Sequence, residues 1–385
     1  MCRKTIAVYM LVIACCLSAW GKNYPDYAEA DIDAAYEAFN RQFLSPSKNI
    51  YYEKSIKRGK VAAIWTQAIF LDMAENAYLR TGSPKDSLFF LKILEGNRQH
   101  YANFDWDNGK VWFIYDDIMW WVITLARTAL ITGDITWLNL AESGFERVWS
   151  GSKVLKDNGS YDPVAGGMYW AWDQQRPEGT PTPRMGKMAC INYPTVIGAM
   201  TLFEATGDSA YFNKGVEIYA WARNNLFDKW LGRVADSWHG RRSDWKMHVY
   251  NQATCIGAAT MLYKATGDSL YLEDAILAAD YTKNQMSGNG FLHFENGIEQ
   301  GIYHAIFAQY IIRLIRDGKQ EQYLAWLRHN INAGWANRIA SSGVTWKDYA
   351  TLAPDISAIE SYDASAIPAL MQVIPPINKT ITNNK

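Results

Sequence analysis

The chain has 385 residues, of which 49% are hydrophobic, enough for a sizeable core in one large domain or two ordinary ones. Its 38 basic and 39 acidic residues leave a formal charge of −1 at pH 7, which argues against nucleic acid or anionic membrane as the main partner. A neutral partner fits this balance better.

Residues 1–21 are predicted to be an export signal. Arg3 and Lys4 precede an apolar run over residues 6–17, which is too short for a spanning helix. The tetrapeptide that ends at Cys15 resembles a bacterial lipobox, while residues 19–21 offer an alternative signal-peptidase site. We favour the lipobox. The chain is then expected in the periplasm or on the outer membrane of a Gram-negative bacterium, touching the membrane only through its lipid anchor.

A helix-breaking turn recurs along the rest of the chain. It reads Thr-Gly or Thr-Gly-Asp, and its glycines are Gly82, Gly133, Gly207, Gly267 and, in a looser version of the motif, Gly318. Glycine takes the left-handed conformation that ends one helix, and a following Asp can cap the next helix. Each turn is therefore predicted to join two antiparallel helices.

The helical segments on the two sides of these turns differ in composition. The nearly uncharged ones precede a turn and cover residues 118–131, 189–203, 253–263 and 302–312. The amphipathic ones follow a turn, as at residues 209–225 and 269–283. Helices that are apolar on every face are buried, and amphipathic helices cover them.

Four further helical segments complete the count, at residues 31–43, 61–80, 321–337 and 356–373. About twelve helices predict an all-α fold, an (α/α)6 barrel of six inner and six outer helices. We expect one catalytic domain over residues 22–376 and a disordered polar tail over residues 377–385.

The long connections are predicted to lie at one end of this barrel. The short turns all join an inner helix to the next outer helix, so the other connections, at residues 101–115, 151–187, 229–250 and 287–301, share the opposite end. Seven tryptophans lie in them, namely Trp106, Trp112, Trp170, Trp172, Trp230, Trp238 and Trp245. A bowl lined by aromatic rings is the expected shape of a glycan-binding cleft.

Asp116 and Asp117 stand side by side at the start of a predicted inner helix, at this loop-rich end. Four large aromatic neighbours flank them, and no Lys, Arg or His lies between positions 111 and 125. An unpaired buried carboxylate costs several kcal/mol, so the pair is a candidate for acid/base chemistry. The structural alternative is that both side chains stabilise a helix N terminus.

The cysteines and histidines predict neither a disulfide framework nor a metal site. Only Cys190 and Cys255 follow the signal, without a CxxC spacing, and the six histidines lack metal-ligand spacing. We expect both cysteines to be small buried hydrophobes, and no cofactor.

Four motifs follow one another in the mature sequence. They are Tyr115-Asp116-Asp117 with Trp120-Trp121, Gly166-Gly167-Met168-Tyr169-Trp170, Lys187-x-Ala189-x-x-Asn192, and Tyr250-Asn251-Gln252. Together they resemble glycoside hydrolase family 76, the endo-acting α-1,6-mannanases, over essentially the whole mature chain. The chain departs from the family pattern at Ala253, where Gly is usual, and at His304 and Gln309, where Lys and Arg are common.

The resemblance implies a retaining glycosidase that cleaves α-1,6-mannosidic linkages of a yeast-type mannan backbone or of manno-oligosaccharides. Asp116 would be the nucleophile and Asp117 the general acid/base, since two carboxyl groups about 5–5.5 Å apart flank the scissile bond in retaining enzymes. The substrate-binding residues it implies are Tyr115, Trp120, Gly166, Gly167, Trp170, Lys187, Asn192, Asp236, Tyr250, Asn251 and Gln252.

Several of these residues also have a purely structural interpretation. Asn192 could cap a helix, Asn251 and Gln252 could satisfy backbone groups, and Gly166 with Gly167 could only shape a loop.

Two other functions stay open at this point. One is an (α/α)6 sugar epimerase, which would need histidines such as His248 and His304 to line the cavity. The other is a non-catalytic glycan-binding lipoprotein. The basic residues Arg241 and Arg242, with Lys246 and His248, suggest contact with a phosphorylated or branched mannan, although such clusters are more often solvated. We expect the chain to act as a monomer.

Overall fold

The structure, a computed structural model, describes residues 23–55, 59–171, 186–377 and 379. The predicted export signal, Trp172 and most of the predicted polar tail lie outside the described residues. Within the described part, no helix combines the length and the apolar composition that a membrane span requires.

Thirteen α-helices form in the described ranges. They are α1 Glu29–Phe43, α2 Ile64–Thr81, α3 Pro84–His100, α4 Tyr115–Thr132, α5 Ile135–Ser150, α6 Ala189–Thr206, α7 Ser209–Asn225, α8 Val249–Thr266, α9 Ser269–Gln285, α10 Tyr303–Asp317, α11 Leu324–Ala336, α12 Ser361–Ala364 and α13 Ala366–Val373.

Short 3-10 helices and two small antiparallel sheets lie in the connections. The 3-10 helices are Ala102–Phe104, Gln300–Ile302, Glu321–Tyr323 and Ile356–Ala358. The strands are β1 Lys187–Met188, β2 Ser237–Trp238 and β3 Ser243–Asp244 in one sheet, and β4 Ser287–Gly288 and β5 Phe291–Leu292 in the other. In the first sheet, β2 pairs with both neighbours.

The helices form two concentric rings. The inner ring runs α2, α4, α6, α8, α10 and α12–α13, each packed on the next, and α13 packs on α2 to close it. The outer helices α3, α5, α7 and α9 each pack on the inner helix before them, while α1 and α11 both contact α13. This arrangement confirms the predicted (α/α)6 barrel.

Burial separates the two rings as their composition predicts. In α6 every residue from Ala189 to Leu202 is buried, whereas α7 buries only Gly215, Ile218, Tyr219 and Ala222. A helix enclosed on all sides gains from apolar residues all round, while an outer helix needs only one apolar stripe.

Four of the five predicted turns have the expected geometry. Gly82, Gly133, Gly207 and Gly267 adopt left-handed conformations with φ between +63° and +72°. After the last three, the side chain of the following Asp accepts a hydrogen bond from the backbone two residues later. The fifth prediction was wrong, because Gly318 has φ −86° and the left-handed residue is Lys319.

The ring closes where the two ends of the described chain meet. The last inner helix is split at Ser365 into α12 and α13, rather than continuous from residue 356 as predicted. The hydroxyl of Tyr362, on α12, accepts a hydrogen bond of 3.0 Å from Ala63 N, just before α2. Tyr27 N donates to Oδ1 of Asn332 on α11 at 3.0 Å. These contacts join residues about 300 positions apart.

Candidate active site

Asp116 and Asp117 occupy the first turn of the inner helix α4, at the end of the barrel opposite the glycine turns. Each remains 8% exposed, although the helix around them is buried. The residue before the helix, Ile114, supplies no side-chain cap, and the backbone N–H groups of Asp116 and Asp117 interact with the Asp116 carboxylate.

The start of α4 is held by the loop that precedes α6. Tyr115 N donates to the carbonyl of Trp170 at 3.0 Å, and the Tyr115 hydroxyl donates to Asp157 Oδ1 at 2.5 Å. Asp157 also forms a buried ion pair with Arg147 of α5. Tyr115, predicted to bind substrate, is 1% exposed and instead fixes the position of the two aspartates.

Asp116 sits among groups that favour its ionised form. Burial raises its pKa to about 7, while the Cys190 thiol, the first backbone N–H groups of α4 and the Trp170 indole act in the opposite direction. Its Oδ1 is buried and has no hydrogen-bond partner among the described residues. Asp116 therefore has one carboxylate oxygen without a hydrogen bond to a described residue, and it ionises near neutral pH.

Asp117 has the stronger preference for a proton. Burial raises its pKa well above the ordinary value, and the negative charges of Asp116 and Glu299 raise it further. Glu299 has φ +66° and accepts a 2.7 Å hydrogen bond from the Trp65 indole. Of the two neighbours, Asp116 is thus the one that loses its proton first.

A second polar group lies at the start of α8, on the same end of the barrel. His248 Nδ1 is hydrogen-bonded to Glu295, and its Nε2 lies 3.8 Å from Asp236. Asn251 donates to Asp236 at 3.3 Å, and its own Oδ1 is buried without a partner among the described residues. Tyr250 completes the group, with its ring stacked on Tyr303 at a centroid distance of 4.1 Å.

Tyr250 links this group to the aspartates. The Cys190 thiol acts on the pKa of Asp116, and a Tyr250 hydrogen bond acts on the pKa of Cys190. The structure therefore brings the predicted residues Asp236, Tyr250 and Asn251 into one cluster with the catalytic candidates.

The side-chain amides of two other predicted binding residues form hydrogen bonds with the protein backbone. Asn192 is fully buried and exchanges hydrogen bonds with the backbone N–H and C=O of Met168 at 2.8 and 3.0 Å, while also donating to Met188. Gln252, equally buried, bonds the backbone of residues 232, 234 and 278. Both amides are therefore engaged by backbone groups, as their structural interpretation expected, and their contact with a sugar stays a prediction.

Lys187 also points into the protein. Its ammonium group forms a 2.8 Å ion pair with Asp162 and donates to the Gly166 carbonyl. Gly166 and Gly167 have φ +70° and +76°, and a Cβ at Gly167 would lie 2.5 Å from the Trp221 ring. Lys187 and the two glycines thus fold the loop that carries Trp170, which is half-buried beside Asp116.

The loop tryptophans divide into core and surface. Trp106 and Trp112 are 6% and 0% exposed, so the prediction that they line the bowl was wrong, because they pack with Phe104 in the core. Trp120 is also buried, against Trp65. The half-buried or exposed members are Trp170, Trp230, Trp238 and Trp245.

The remaining predictions concern histidines, cysteines and charges. His304 is buried between the Tyr349 hydroxyl and the His293 carbonyl, and burial lowers its pKa to about 4. Cys190 and Cys255 are buried free thiols, as predicted. Arg241 and Arg242 are exposed, whereas His248 is buried and leaves the predicted basic cluster.

Sequence reasoning missed Glu299, Glu295 and Trp65 as parts of the site. The two glutamates lie in a connection already assigned to the loop-rich end, so acidic residues in that connection were the available signal. Trp65 carried no signal, because its position at the start of α2 is also that of an ordinary core residue.

Solved structures of family 76 glycoside hydrolases resemble this chain. The chain is similar to the α-1,6-mannanase GH76A of Salegentibacter sp., with 24% identity, a TM-score of 0.76, and coverage of 89% of this chain and 97% of that one. An inactive variant of that enzyme, in which two consecutive aspartates are replaced by asparagine, is in complex with α-1,6-mannotriose and matches at 23% identity, with the same TM-score and coverage.

A family 76 glycoside hydrolase (mannosidase) from Bacteroides thetaiotaomicron matches at 16% identity with a TM-score of 0.70, over 89% of this chain and 96% of that one. No curated protein matches the chain. The profile of Glycosyl hydrolase family 76 matches residues 31–374, which is nearly the whole barrel. The chain therefore belongs to glycosyl hydrolase family 76.

Proposed function

We propose that the chain is a retaining glycoside hydrolase that cleaves α-1,6-mannosidic linkages of mannan. The observation that carries this proposal is the pair of neighbouring carboxyl groups, Asp116 and Asp117, whose pKa values are raised to different extents at the first turn of α4. Membership of the family supports a glycosidase, and the mannotriose complex of the Salegentibacter variant supports a manno-oligosaccharide as substrate.

The first half-reaction uses the two groups in different protonation states. The Asp116 carboxylate attacks C1 of the mannose unit, and Asp117 gives its proton to the glycosidic oxygen as the C1–O bond breaks. This step forms an ester between Asp116 and the sugar and releases the shortened chain as an alcohol.

The second half-reaction regenerates the enzyme. The ester no longer carries the Asp116 charge that raised the pKa of Asp117, so the pKa of Asp117 falls. Asp117, which gave up its proton in the first step, therefore stays ionised and can act as a base. Water then attacks C1 while Asp117 removes its proton, and the bond between C1 and Asp116 breaks. The two inversions at C1 leave the product with the anomeric configuration of the substrate.

Substrate binding is assigned to the groups that remain free to contact a ligand. Asp236 keeps carboxylate oxygens near the site, the half-buried Trp170 offers a ring beside Asp116, and Tyr250 offers part of its ring. Asn192, Gln252 and Lys187 support the loops around them rather than the sugar.

Incubation with an unbranched α-1,6-mannan, followed by measurement of new reducing ends, tests the proposal. We expect activity in the wild type, a loss of at least about 1,000-fold in Asp116→Asn, and full activity in Asp107→Asn, a matched exposed aspartate in the preceding loop. Proton NMR of the first product should give the α-anomer. Wild-type protein without activity on any linear mannan, or Asp116→Asn with normal activity, would contradict it.

Aryl mannosides with activated leaving groups separate the two roles. Such substrates need little help from a general acid, so Asp117→Ala should retain cleavage of them and accumulate the glycosyl-enzyme, whereas Asp116→Ala should not. The reverse pattern would exchange the assignments.

The two alternatives have less support. An epimerase would need histidines facing the cavity, but His304 is buried with both ring nitrogens engaged, and His248 is paired with Glu295. A non-catalytic glycan-binding protein would show mannan binding without new reducing ends in the same assay.

We also propose that the chain is exported as a lipoprotein. The support is the lipobox-like sequence that ends at Cys15. Labelling of the wild type with radioactive palmitate, but not of Cys15→Ala, is the expected result. Equal labelling of both would refute the anchor.

A further inference from the structure

A cavity of about 940 Å³ lies at the glycine-turn end of the barrel, opposite the two aspartates. The C-terminal portions of all six inner helices line it, as do residues 374–376, which follow α13. Its volume is within the range of cavities that bind small molecules in proteins. No role in the proposed hydrolysis accounts for it.

The charged side chains that line this cavity are mainly cationic. Six are Lys or Arg and two are Glu; the basic ones are Arg80, Arg127, Lys264, Arg313, Arg316 and Lys379. A basic residue in the last turn of a helix offsets the macrodipole, which accounts for Arg80, Lys264 and Arg316. Lys379 is paired with Glu29 at 3.0 Å.

Arg127 has its own acidic partners beneath the cavity. Its Nη1 lies 3.1 Å from Glu75 and 3.5 Å from Asp72, both buried. By contrast, Arg313 of α10 has no carboxylate within ion-pair distance and donates no hydrogen bond to any described residue. Arg313 is only partly buried and lines the cavity, and it acts on the buried Asp72 through its charge alone, so its N–H donors remain available to a ligand.

Two amides that line the same cavity are also left with free donors. Gln309, one turn earlier on α10, accepts a 2.7 Å hydrogen bond from Asn76, and its own NH2 group has no partner among the described residues. Gln372 of α13 is 4% exposed and accepts from Arg80 at 2.9 Å, and its Nε2 is buried without a partner. Both amides line the cavity.

These three side chains share one chemical property. In Gln309 and Gln372 the acceptor oxygen is used by the protein and the NH2 group is free, and a guanidinium group can only donate. The buried Nε2 of Gln372 without a partner is costly, and the half-buried Gln309 and Arg313 present further donors, so this wall is complementary to a group that only accepts hydrogen bonds. A negatively charged oxyanion is such a group, and arginine binds it through two parallel hydrogen bonds.

We propose that this cavity, which we name the basal cavity, binds a small molecule through a phosphate or carboxylate group held by Arg313, Gln309 and Gln372. The site is separate from the hydrolytic centre and uses none of its residues. Its occupant would bridge α10 and α13, next to the contact between α13 and α2 that closes the inner ring.

Calorimetric titration of the full chain with inorganic phosphate and, in a second arm, with citrate tests the proposal. We expect saturable binding of at least one anion and no comparable signal from sodium chloride at equal ionic strength. Arg313→Met keeps the aliphatic stem but removes the charge and should weaken binding about tenfold or more, whereas Arg313→Lys should restore part of it. The arm with the tighter binding identifies a phosphate or a carboxylate.

Lys264→Met is the matched control, because Lys264 also lines the basal cavity but is already paired with Glu204 at 3.1 Å. It should leave the affinity within about twofold. Thermal melting of each variant without anion establishes that it is folded, and the Asp116→Asn variant should bind as the wild type does. Absence of saturable binding by either anion, or equal affinity in Arg313→Met, would overturn the assignment, as would an equal loss in Lys264→Met.

Discussion

Replacement of Asp116 by Asn should make the protein more stable, and increasingly so as the pH rises. Burial raises the pKa of Asp116 from 3.8 to about 7 in the folded chain. A group with a raised pKa in the folded state contributes stability that is fully present below its unfolded pKa and is lost as the pH rises through the folded pKa. Asparagine cannot ionise and is free of this loss.

The magnitude follows from the two pKa values. With a pKa of 3.8 in the unfolded chain and about 7 in the folded one, and about 1.36 kcal/mol for each tenfold change in the proton equilibrium, the wild type loses on the order of 4 kcal/mol between pH 4 and pH 8 at this residue alone. The Asp116 charge also raises the pKa of Asp117, and its removal ends this repulsion between the two residues. The gain in stability at Asp117 therefore has the same sign as the gain at Asp116.

Urea unfolding at pH 4, 5, 6, 7 and 8 measures the effect. The unfolding free energy of Asp116→Asn minus that of the wild type should grow by about 4 kcal/mol over this range. Asp107→Asn should show no such trend, because Asp107 is exposed. A difference for Asp116→Asn that stays constant within about 1 kcal/mol would refute the reasoning that burial, rather than hydrogen bonding, controls this carboxylate.

Three further outcomes are expected. Asn192→Ala should lower the unfolding free energy by about 2–4 kcal/mol in urea, because it removes three hydrogen bonds, two of them buried, that hold the loop before α6. Gly207→Ala should lower the folding stability by only about 1–2 kcal/mol, since no atom lies within 4 Å of the added Cβ. Gly257→Ala should lower it more, since its Cβ would lie 2.4 Å from a tyrosine ring. Thermal melting compares the two variants, and equal losses of stability would contradict the packing argument. Glu299→Gln should move the alkaline limb of the pH dependence of kcat/KM to lower pH, because the Glu299 charge raises the pKa of Asp117; an unmoved limb would exclude this coupling.

The barrel could be predicted because its signals are local. A glycine turn such as Gly207-Asp208 involves adjacent residues. The difference in burial between α6 and α7 follows from the composition of each helix by itself. The two aspartates were equally visible, since adjacent carboxyl groups among aromatic residues need no tertiary information to attract notice. Only the less regular turn at Gly318 and the break at Ser365 escaped this local reasoning.

The sequence could not predict which residues around the site support loops and which face the site, because this depends on partners far apart in sequence. Asn192 and Asn251 are both amides at the start of inner helices, yet Asn192 bonds a loop 24 positions away and Asn251 faces Asp236. Trp106 and Trp170 are both loop tryptophans, and only the packing of the loops decides which becomes core. Composition identifies residues that suit a sugar, whereas the tertiary contacts determine which of them can reach it.

The seam between the first and last helices has a consequence for how the protein is made. Each hairpin from α2 to α9 can pack on its predecessor while synthesis continues, because its neighbour is already present. Tyr27 and Ala63, however, must wait for partners about 300 residues downstream. The apolar side of α1 and α2 that α13 covers thus stays uncovered during most of translation, and docking of the C-terminal helices is the slow, late event that long sequence separation imposes.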